Sequence, residues 1–215
     1  MSAQVTVAIP SYNHARFVIE AIDSVVAQSF PAWQLTIIDD GSTDDSVARI
    51  EGRLRALADP RISFVARDNR GLCRTLNEAL AATTTPHFCY LGSDDYWHPS
   101  KLGRQVAVIG EQAACYSDCW IVRGKGPLRR FSDWSPFKGG YIYQDLVFAR
   151  YMPPSPTNLF RADRVRAVGG FDEQIFLEDR DLWLRLTRVH PVAYVAEPLA
   201  YYRVHDTQVS TFCVE

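Results

Sequence analysis

Asp94 and Asp95 are adjacent carboxylates that follow Gly92 and Ser93 at the end of the apolar run Phe88-Cys89-Tyr90-Leu91. A buried strand that ends in two carboxylates delivers negative charge to the edge of a sheet. In open α/β proteins, ligands bind at the carboxyl edge of the strands. Two carboxylates side by side repel each other, so a cationic partner is expected, and a hard divalent metal carrying phosphate oxygens suits that chemistry. The simpler alternative is a solvated turn or a helix start, where Asp is common. Two further acidic pairs, Asp39-Asp40 and Glu178-Asp179, fall at other expected strand ends or helix starts. Each alone reads as a cap or a surface charge, but all three lying at loop edges argues against independent accidents.

The elements that would position these pairs follow from periodicity. Residues 5–9 read as a strand closed by Pro10, and Phe17, Ala21, Ile22, Val25 and Val26 recur at helical spacing. Residues 33–38 form a second strand. A turn and helix follow to about Leu57, and Ser42 and Asp45 stand at capping-box spacing. A strand at 62–66, a helix at 72–81 and a strand at 87–91 complete the alternation. Repeated strand–helix units imply an α/β fold with a mostly parallel sheet and helices on both faces.

The rhythm changes after residue 112. Short strand-like runs at 113–117 and 120–123 lead into aromatic, Pro/Gly-punctuated segments at 129–143 and 151–156. Connections this long are often functional. Asp179, Leu182, Trp183, Leu186 and Val189 then place one stripe on a helix, and residues 192–195 and 199–203 read as closing strands. No repeat or clear linker appears, so residues 1–215 are expected to form a single domain with halves at 1–112 and 113–215.

Composition narrows the class. The chain is 215 residues, 47% hydrophobic and 22% charged, with a formal net charge of -2, so an ordered domain without a footprint for nucleic acid is expected. No apolar run reaches the roughly 18 residues of a membrane span. The start Met1-Ser2-Ala3-Gln4 lacks a signal-peptide pattern. Five cysteines (73, 89, 115, 119 and 213) include no Cys-x-x-Cys pair, which favours reduced thiols and a cytoplasmic location. No Gly-x-Gly-x-x-Gly follows a strand and no Walker-type loop is present, which disfavours dinucleotide oxidoreductases and P-loop enzymes.

An ordered set of motifs resembles the family 2 inverting glycosyltransferases of GT-A fold. It comprises Ile9-Pro10-Ser11-Tyr12-Asn13, Gln28-Ser29-Phe30, Ile38-Asp39-Asp40-Gly41-Ser42-Thr43-Asp44, Asn69 with Gly71 and Asn77, and Ser93-Asp94-Asp95. The second half adds Gly169-Gly170-Phe171-Asp172-Glu173 and Glu178-Asp179-Arg180-Asp181-Leu182-Trp183-Leu184-Arg185-Leu186. The resemblance covers about residues 4–210 and implies a GT-A nucleotide-binding sheet with a smaller C-terminal acceptor-side region.

It also implies roles. Tyr12 would stack on the nucleotide base, with Pro10 shaping its loop. Asp40 would accept a hydrogen bond from the base's ring N–H, which favours a UDP-sugar. Asp39 would be structural. Arg74 would reach the diphosphate, which residues 69–74 would border. Asp94 would touch the ribose or share the metal, Asp95 would bind Mn2+ or Mg2+, and His205 would contact the metal or diphosphate. Many relatives carry another Asp where this chain has Gly92. Asp179 would be the catalytic base, taking the acceptor hydroxyl's proton, with Glu178 beside it at the substrate. Like charge from Glu178, Asp181 and Glu173 would raise its pKa from an ordinary value of about 3.9. Trp97 and Trp134 are candidate sugar-facing aromatics.

The alternatives are a nucleotidyltransferase on a related sheet, disfavoured because Pro10-Ser11-Tyr12-Asn13-His14 is not a Gly-rich basic loop, and a catalytically silent sugar-nucleotide-binding subunit. The acceptor, read by the segments at 129–156, is open among a saccharide, a lipid-linked molecule and a small molecule. Bacterial polysaccharide or glycolipid assembly, with peripheral attachment at the inner membrane face, is one setting the resemblance allows.

Overall fold

Val5, Val7 and Ile9 are completely buried, and so are the residues between them to within a few per cent, because this strand is covered on both faces. It is β1 (Val5–Ser11) of a 9-stranded sheet in a computed structural model that describes residues 2–124, 128–175, 177–206 and 208. The other strands are β2 (Trp33–Asp40), β3 (Ile62–Arg67), β4 (His87–Tyr90), β5 (Tyr96–Trp97), β6 (Ala114–Arg123), β7 (Arg129–Arg130), β8 (Leu159–Arg161) and β9 (Val192–Val204). Their order is β3-β2-β1-β4-β8-β6-β9-β5, with β7 on β6.

The first four strands are all parallel, and Ser11 lies in register with Asp39. The ends of β1, β2 and β4 therefore open at one edge. Strand alternation divides the core in two. Val5, Val7 and Ile9 pack with helices α1 (Val18–Val26), α2 (Ser46–Leu57) and α4 (Lys101–Ile109). Ala8 and Tyr90 pack on the opposite face with α3 (Leu72–Ala82), α5 (Tyr143–Val147), α6 (Ala162–Ala167) and α7 (Glu178–Thr187). No helix among the described residues is long and apolar enough to cross a membrane.

Several expectations change in detail. Helix α4 lay outside the periodicity reading because its buried face carries Lys101 and Gln105, both fully buried. Lys101 Nζ donates to Asn158 O at 2.9 Å and Gln105 Nε2 to Thr157 O at 2.6 Å, so polar side chains occupy positions where apolar ones would announce a helix. Residues 114–123 form the single strand β6 rather than two runs, and β9 likewise runs through residues 196–198. The cause of both breaks is a bulge, where the β6–β9 register shifts around Asp118. The buried Asp118 carboxylate accepts from Cys119 N at 2.8 Å and Ser132 Oγ at 2.6 Å.

The capping box at Ser42 is replaced by other contacts. Ser42 Oγ donates to Asp39 Oδ2 at 2.7 Å, and α2 begins only at Ser46. Val189 lies past the end of α7 and is 62% exposed.

The segment at 151–158 is largely buried rather than an open loop. Asn158 takes the place of a ladder partner for β4. Tyr90 N donates to Asn158 Oδ1 at 3.0 Å, and Asn158 Nδ2 donates to Tyr90 O at 3.2 Å. Replacing Asn158 with Ala would strand both buried backbone groups, each worth roughly 1–3 kcal/mol when left unsatisfied. Urea denaturation of Asn158→Ala should show a loss of about 2 kcal/mol or more; a loss below about 0.5 kcal/mol would contradict the pairing's importance.

Candidate functional site

The loop after β1 and the loop after β2 are joined through one buried carboxylate. Asp39, 1% exposed, accepts from Ser11 Oγ at 3.0 Å, Ser42 N at 2.8 Å and Ser42 Oγ at 2.7 Å. Asn13 N donates in turn to Ser42 Oγ at 2.8 Å, and Thr43 N donates to Asn13 Oδ1 at 2.8 Å. Tyr12 projects from this braced loop with 48% of its surface exposed, while Pro10 is half-buried. Gly41 has a φ of 82°, and a Cβ there would lie 2.6 Å from Asn69 N, so the close approach of the two loops requires glycine.

Asp40 is also heavily engaged. Its Oδ1 accepts from the Arg67 guanidinium and from Arg70 N at 2.8 Å, and its Oδ2 accepts from Gly71 N at 2.9 Å. Arg67 is held by Glu78 at 3.0 Å and Thr75 at 2.8 Å. A carboxylate oxygen accepts about two hydrogen bonds, so Oδ2 keeps capacity for one more donor.

The turn at 92–95 closes with Asp95 N donating to Gly92 O at 3.0 Å. A Cβ on Gly92 would meet Asp94 Oδ1 at 2.8 Å, so a larger residue there would require the Asp94 carboxylate to shift. Asp95 is 5% exposed and accepts from Arg203 N at 2.7 Å through Oδ1. Burial, then the adjacent Asp94 charge, pushes its pKa well above the usual carboxylate range. Among the described residues no donor reaches Asp95 Oδ2. Asp94 turns the other way, with Oδ2 3.0 Å from His205 Nε2. Arg203 braces the turn from behind, donating to Asp94 O at 2.5 Å and Glu20 Oε2 at 2.6 Å.

His14, which sequence reasoning passed over, joins this group. Its Nδ1 is 2.8 Å from Ser93 Oγ, and burial lowers its pKa below the ordinary imidazole value. One potential ligand atom from each of His14, Asp94 and His205 lies within 4.8 Å of the others, and this nitrogen–carboxylate set fits a divalent cation. The available signal was position, because His14 follows Tyr12 by two residues in a loop at the same sheet edge.

The third acidic pair opens α7. Burial raises the pKa of Asp179, although its Oδ1 accepts from Arg180 N at 2.6 Å. Burial and then the Asp179 charge push Glu178 up to about 7. Like-charge coupling is thus between these two, with desolvation the larger cause. Asp181 is paired with Arg185 (Nε to Oδ2, 2.8 Å), whose guanidinium also donates to Val168 O and Gly170 O. Glu173 accepts from Asn77 Nδ2 at 3.2 Å.

A cleft of about 450 Å³ lies in front of Glu178. Arg70 to Arg74 line one side and Glu173 to Ile175 the other. Gly71 is the N-cap of α3, so the first turn of that helix, which carries Arg74, borders the cleft. Arg74 Nε lies 4.0 Å from Glu78. Tyr90 precedes the 92–95 turn in the chain, and Asp179 and Glu178 both act on its hydroxyl, whose pKa burial raises first. Trp97 belongs to the core instead, since it is 2% exposed and donates to Pro156 O at 2.7 Å. Trp134 is 54% exposed. Cys73, Cys89, Cys115 and Cys119 are free thiols, and Cys213 lies outside the described residues.

The Glycosyl transferase family 2 model matches residues 6–166, and the chain belongs to that family. It is 27% identical over 227 residues to an uncharacterised glycosyltransferase of Rickettsia typhi, covering 97% of this chain and 66% of that protein. The chain thus spans about two thirds or less of the length of the first curated relatives it matches. S. aureus TarS 1–349 in complex with UDP-GlcNAc superposes with a TM-score of 0.75 at 18% identity, over 95% of this chain and 60% of that one. A Pyrobaculum calidifontis mannosyltransferase in complex with GDP-Man and Mn2+ gives 0.73 at 19% identity, over 96% and 59%. The sheet is therefore of GT-A type.

The Arg67–Asp40 pair is nearly buried, with side chains 12% and 7% exposed. Arg67→Met leaves a buried carboxylate without its counter-charge, an event that typically costs about 3–5 kcal/mol. Chemical denaturation should show a loss approaching that size, and a change within about 0.5 kcal/mol would contradict the role given to the pair.

Proposed function

We propose that this chain is the catalytic unit of an inverting, cation-dependent glycosyltransferase. It would move a sugar from a nucleoside-diphosphate donor, a UDP-sugar in preference, to a hydroxyl acceptor. The observation that carries the reading is Asp179. It is a desolvated carboxylate with raised pKa, next in the chain to Glu178, which lines a cleft bordered by the first turn of α3.

The donor's base stacks on Tyr12, the exposed aromatic of the braced loop, with Pro10 setting the loop's path. Asp40 Oδ2 accepts the ring N–H of uracil with its remaining capacity. The diphosphate lies at the first turn of α3, where free backbone N–H groups and Arg74 favour an anion. Asp94 and Asp95, with His205, hold Mn2+ or Mg2+ at the turn. The cation, when bound, neutralises charge that develops on the leaving diphosphate. The two structural relatives were solved with different nucleotides, so the preference for UDP rests on Tyr12 and Asp40 rather than on likeness.

Transfer then needs one displacement. Asp179 accepts the acceptor hydroxyl's proton as that oxygen bonds to the anomeric carbon and the carbon–phosphate-oxygen bond breaks. Only ionised Asp179 can do this, so the rate must fall as pH drops through its pKa. Burial keeps that pKa above the ordinary range, which strengthens the base. Glu178 borders the cleft and would lie against the substrate, its own carboxyl pushed up to about 7 by burial and then by the Asp179 charge.

Asp179→Asn should retain donor binding and lose transfer by about a thousandfold or more, a typical scale for losing a proton-transfer group plus its charge. Transfer at the normal rate would exclude Asp179 as the base. In pH–rate profiles Glu178→Gln should leave the acid limb in place, because burial and then the Asp179 charge keep the Glu178 carboxyl protonated up to about 7 and so uncharged while Asp179 ionises. A limb that moves to lower pH would contradict that order. Asp95→Asn should abolish Mn2+-dependent UDP binding in calorimetric titrations, and unchanged curves would remove Asp95 from the cation site.

A further inference from the structure

Three side chains that converge beside the 92–95 turn come from three separate parts of the sheet edge. His14 follows β1, Asp94 follows β4 and His205 follows β9. One nitrogen or oxygen from each lies within 4.8 Å of the others. Donors about 2.0–2.2 Å from a common metal stand roughly 3–4 Å apart, so small side-chain adjustments bring this set to ligand spacing. His205 Nε2 and Asp94 Oδ2, 3.0 Å apart, already stand at it.

The surroundings of His14 are those of an oriented ligand. Its backbone N donates to the buried Ser46 Oγ at 3.1 Å, which fixes where the residue leaves the loop. Its Nδ1 is 2.8 Å from Ser93 Oγ, and Ser93 is 2% exposed. With Nδ1 engaged, Nε2 is the ring atom left to meet a metal, and hydrogen bonding of the second nitrogen is the usual way a metal-binding imidazole is held. Ser93 is also the residue before Asp94, so one turn supplies a ligand and the group that aims another. The His14 and His205 rings meet edge to face with centroids 5.7 Å apart, and both pack on Phe17, at 6.1 and 4.7 Å. That apolar floor limits water on one side of the donor atoms.

We propose that His14 is a direct ligand of the bound cation, joining His205 and the Asp94–Asp95 carboxylates, so that two imidazoles make the site select Mn2+ or Co2+ over Mg2+. Mg2+ is a hard ion that favours oxygen donors and keeps its waters, whereas a site with nitrogen donors binds the first-row transition divalents with an affinity that rises from Mn2+ to Co2+. The inference rests on the cation reading of the Asp94–His205 turn and extends it, assigning the metal preference to a residue outside the Asp94–Asp95 pair.

Titration of the purified protein with Mn2+, Co2+ and Mg2+, each as the only added ligand, tests it together with pulsed electron paramagnetic resonance of bound Mn2+. The wild-type spectrum should carry nitrogen couplings from two imidazoles. In His14→Gln one coupling should disappear, Mn2+ and Co2+ should bind at least about tenfold more weakly, the scale of losing a ligand-supporting group or more, and Mg2+ binding should barely move. Ser93→Ala should produce a smaller loss in the same direction. The spectrum of the unmodified protein serves as a test even where His14→Gln does not fold: a single imidazole coupling there overturns the proposal. So does a His14→Gln protein that binds Mn2+ as tightly as wild type while Asp94→Asn has lost it, a result that leaves the cation reading intact. Equal Mn2+ binding by wild type, His14→Gln and Asp94→Asn overturns the cation reading and this inference together.

Discussion

The two halves of the sheet are joined at β4, and that join places the acidic pairs within reach of one another. On one side β4 pairs in parallel with β1 over four residues, from His87 to Tyr90. On the other it meets β8 through only His87 and Phe88. Beyond Phe88 the ladder is continued by a side chain, because Asn158 bonds both backbone groups of Tyr90. Lys101, Gln105 and Trp97 fix the neighbouring carbonyls of residues 156–158. Tyr90 is thereby held at the junction, with the 92–95 turn continuing from it and the start of α7 close enough to affect its hydroxyl.

Six carboxylates gather along this edge, and the structure treats them differently. Asp39 is neutralised by hydroxyl and backbone donors and braces two loops. Asp40 is balanced by Arg67 and two backbone N–H groups. Asp95 is bonded to Arg203 N and Asp94 lies against His205. Glu178 and Asp179 accept only local backbone N–H groups at the start of α7 among the described residues, and burial raises both. Desolvation without a compensating cation is the condition that turns a weak carboxylate base into a stronger one.

Much of the first half was legible because apolar runs of strand length alternate with helical spacing, and the observed β1 to β4 lie within two residues of the expected bounds. The second half was less so, for reasons that recur. Polar residues on buried faces hid α4, since Lys101 and Gln105 satisfy backbone carbonyls instead of adding to an apolar stripe. A bulge at Asp118 made β6 and β9 look like four runs. Ser42 stands at capping spacing, yet its hydroxyl serves Asp39, a contact local propensity could not foresee. The acidic pairs were visible as strand-end charges, but which oxygen each would offer depends on donors far along the chain, such as Arg203 and Arg67. His14 escaped notice because its partners, Ser93 and His205, are 79 and 191 positions away.

The proposed role of Asp179 as base implies a single displacement at the anomeric carbon, and the stereochemistry of donor hydrolysis reads that out without knowledge of the acceptor. Proton NMR of an α-linked UDP-sugar incubated with the protein and Mn2+ records which anomer of the free sugar forms before mutarotation. The account predicts the β anomer, with water attacking from the side of Asp179. Initial release of the α anomer would contradict it.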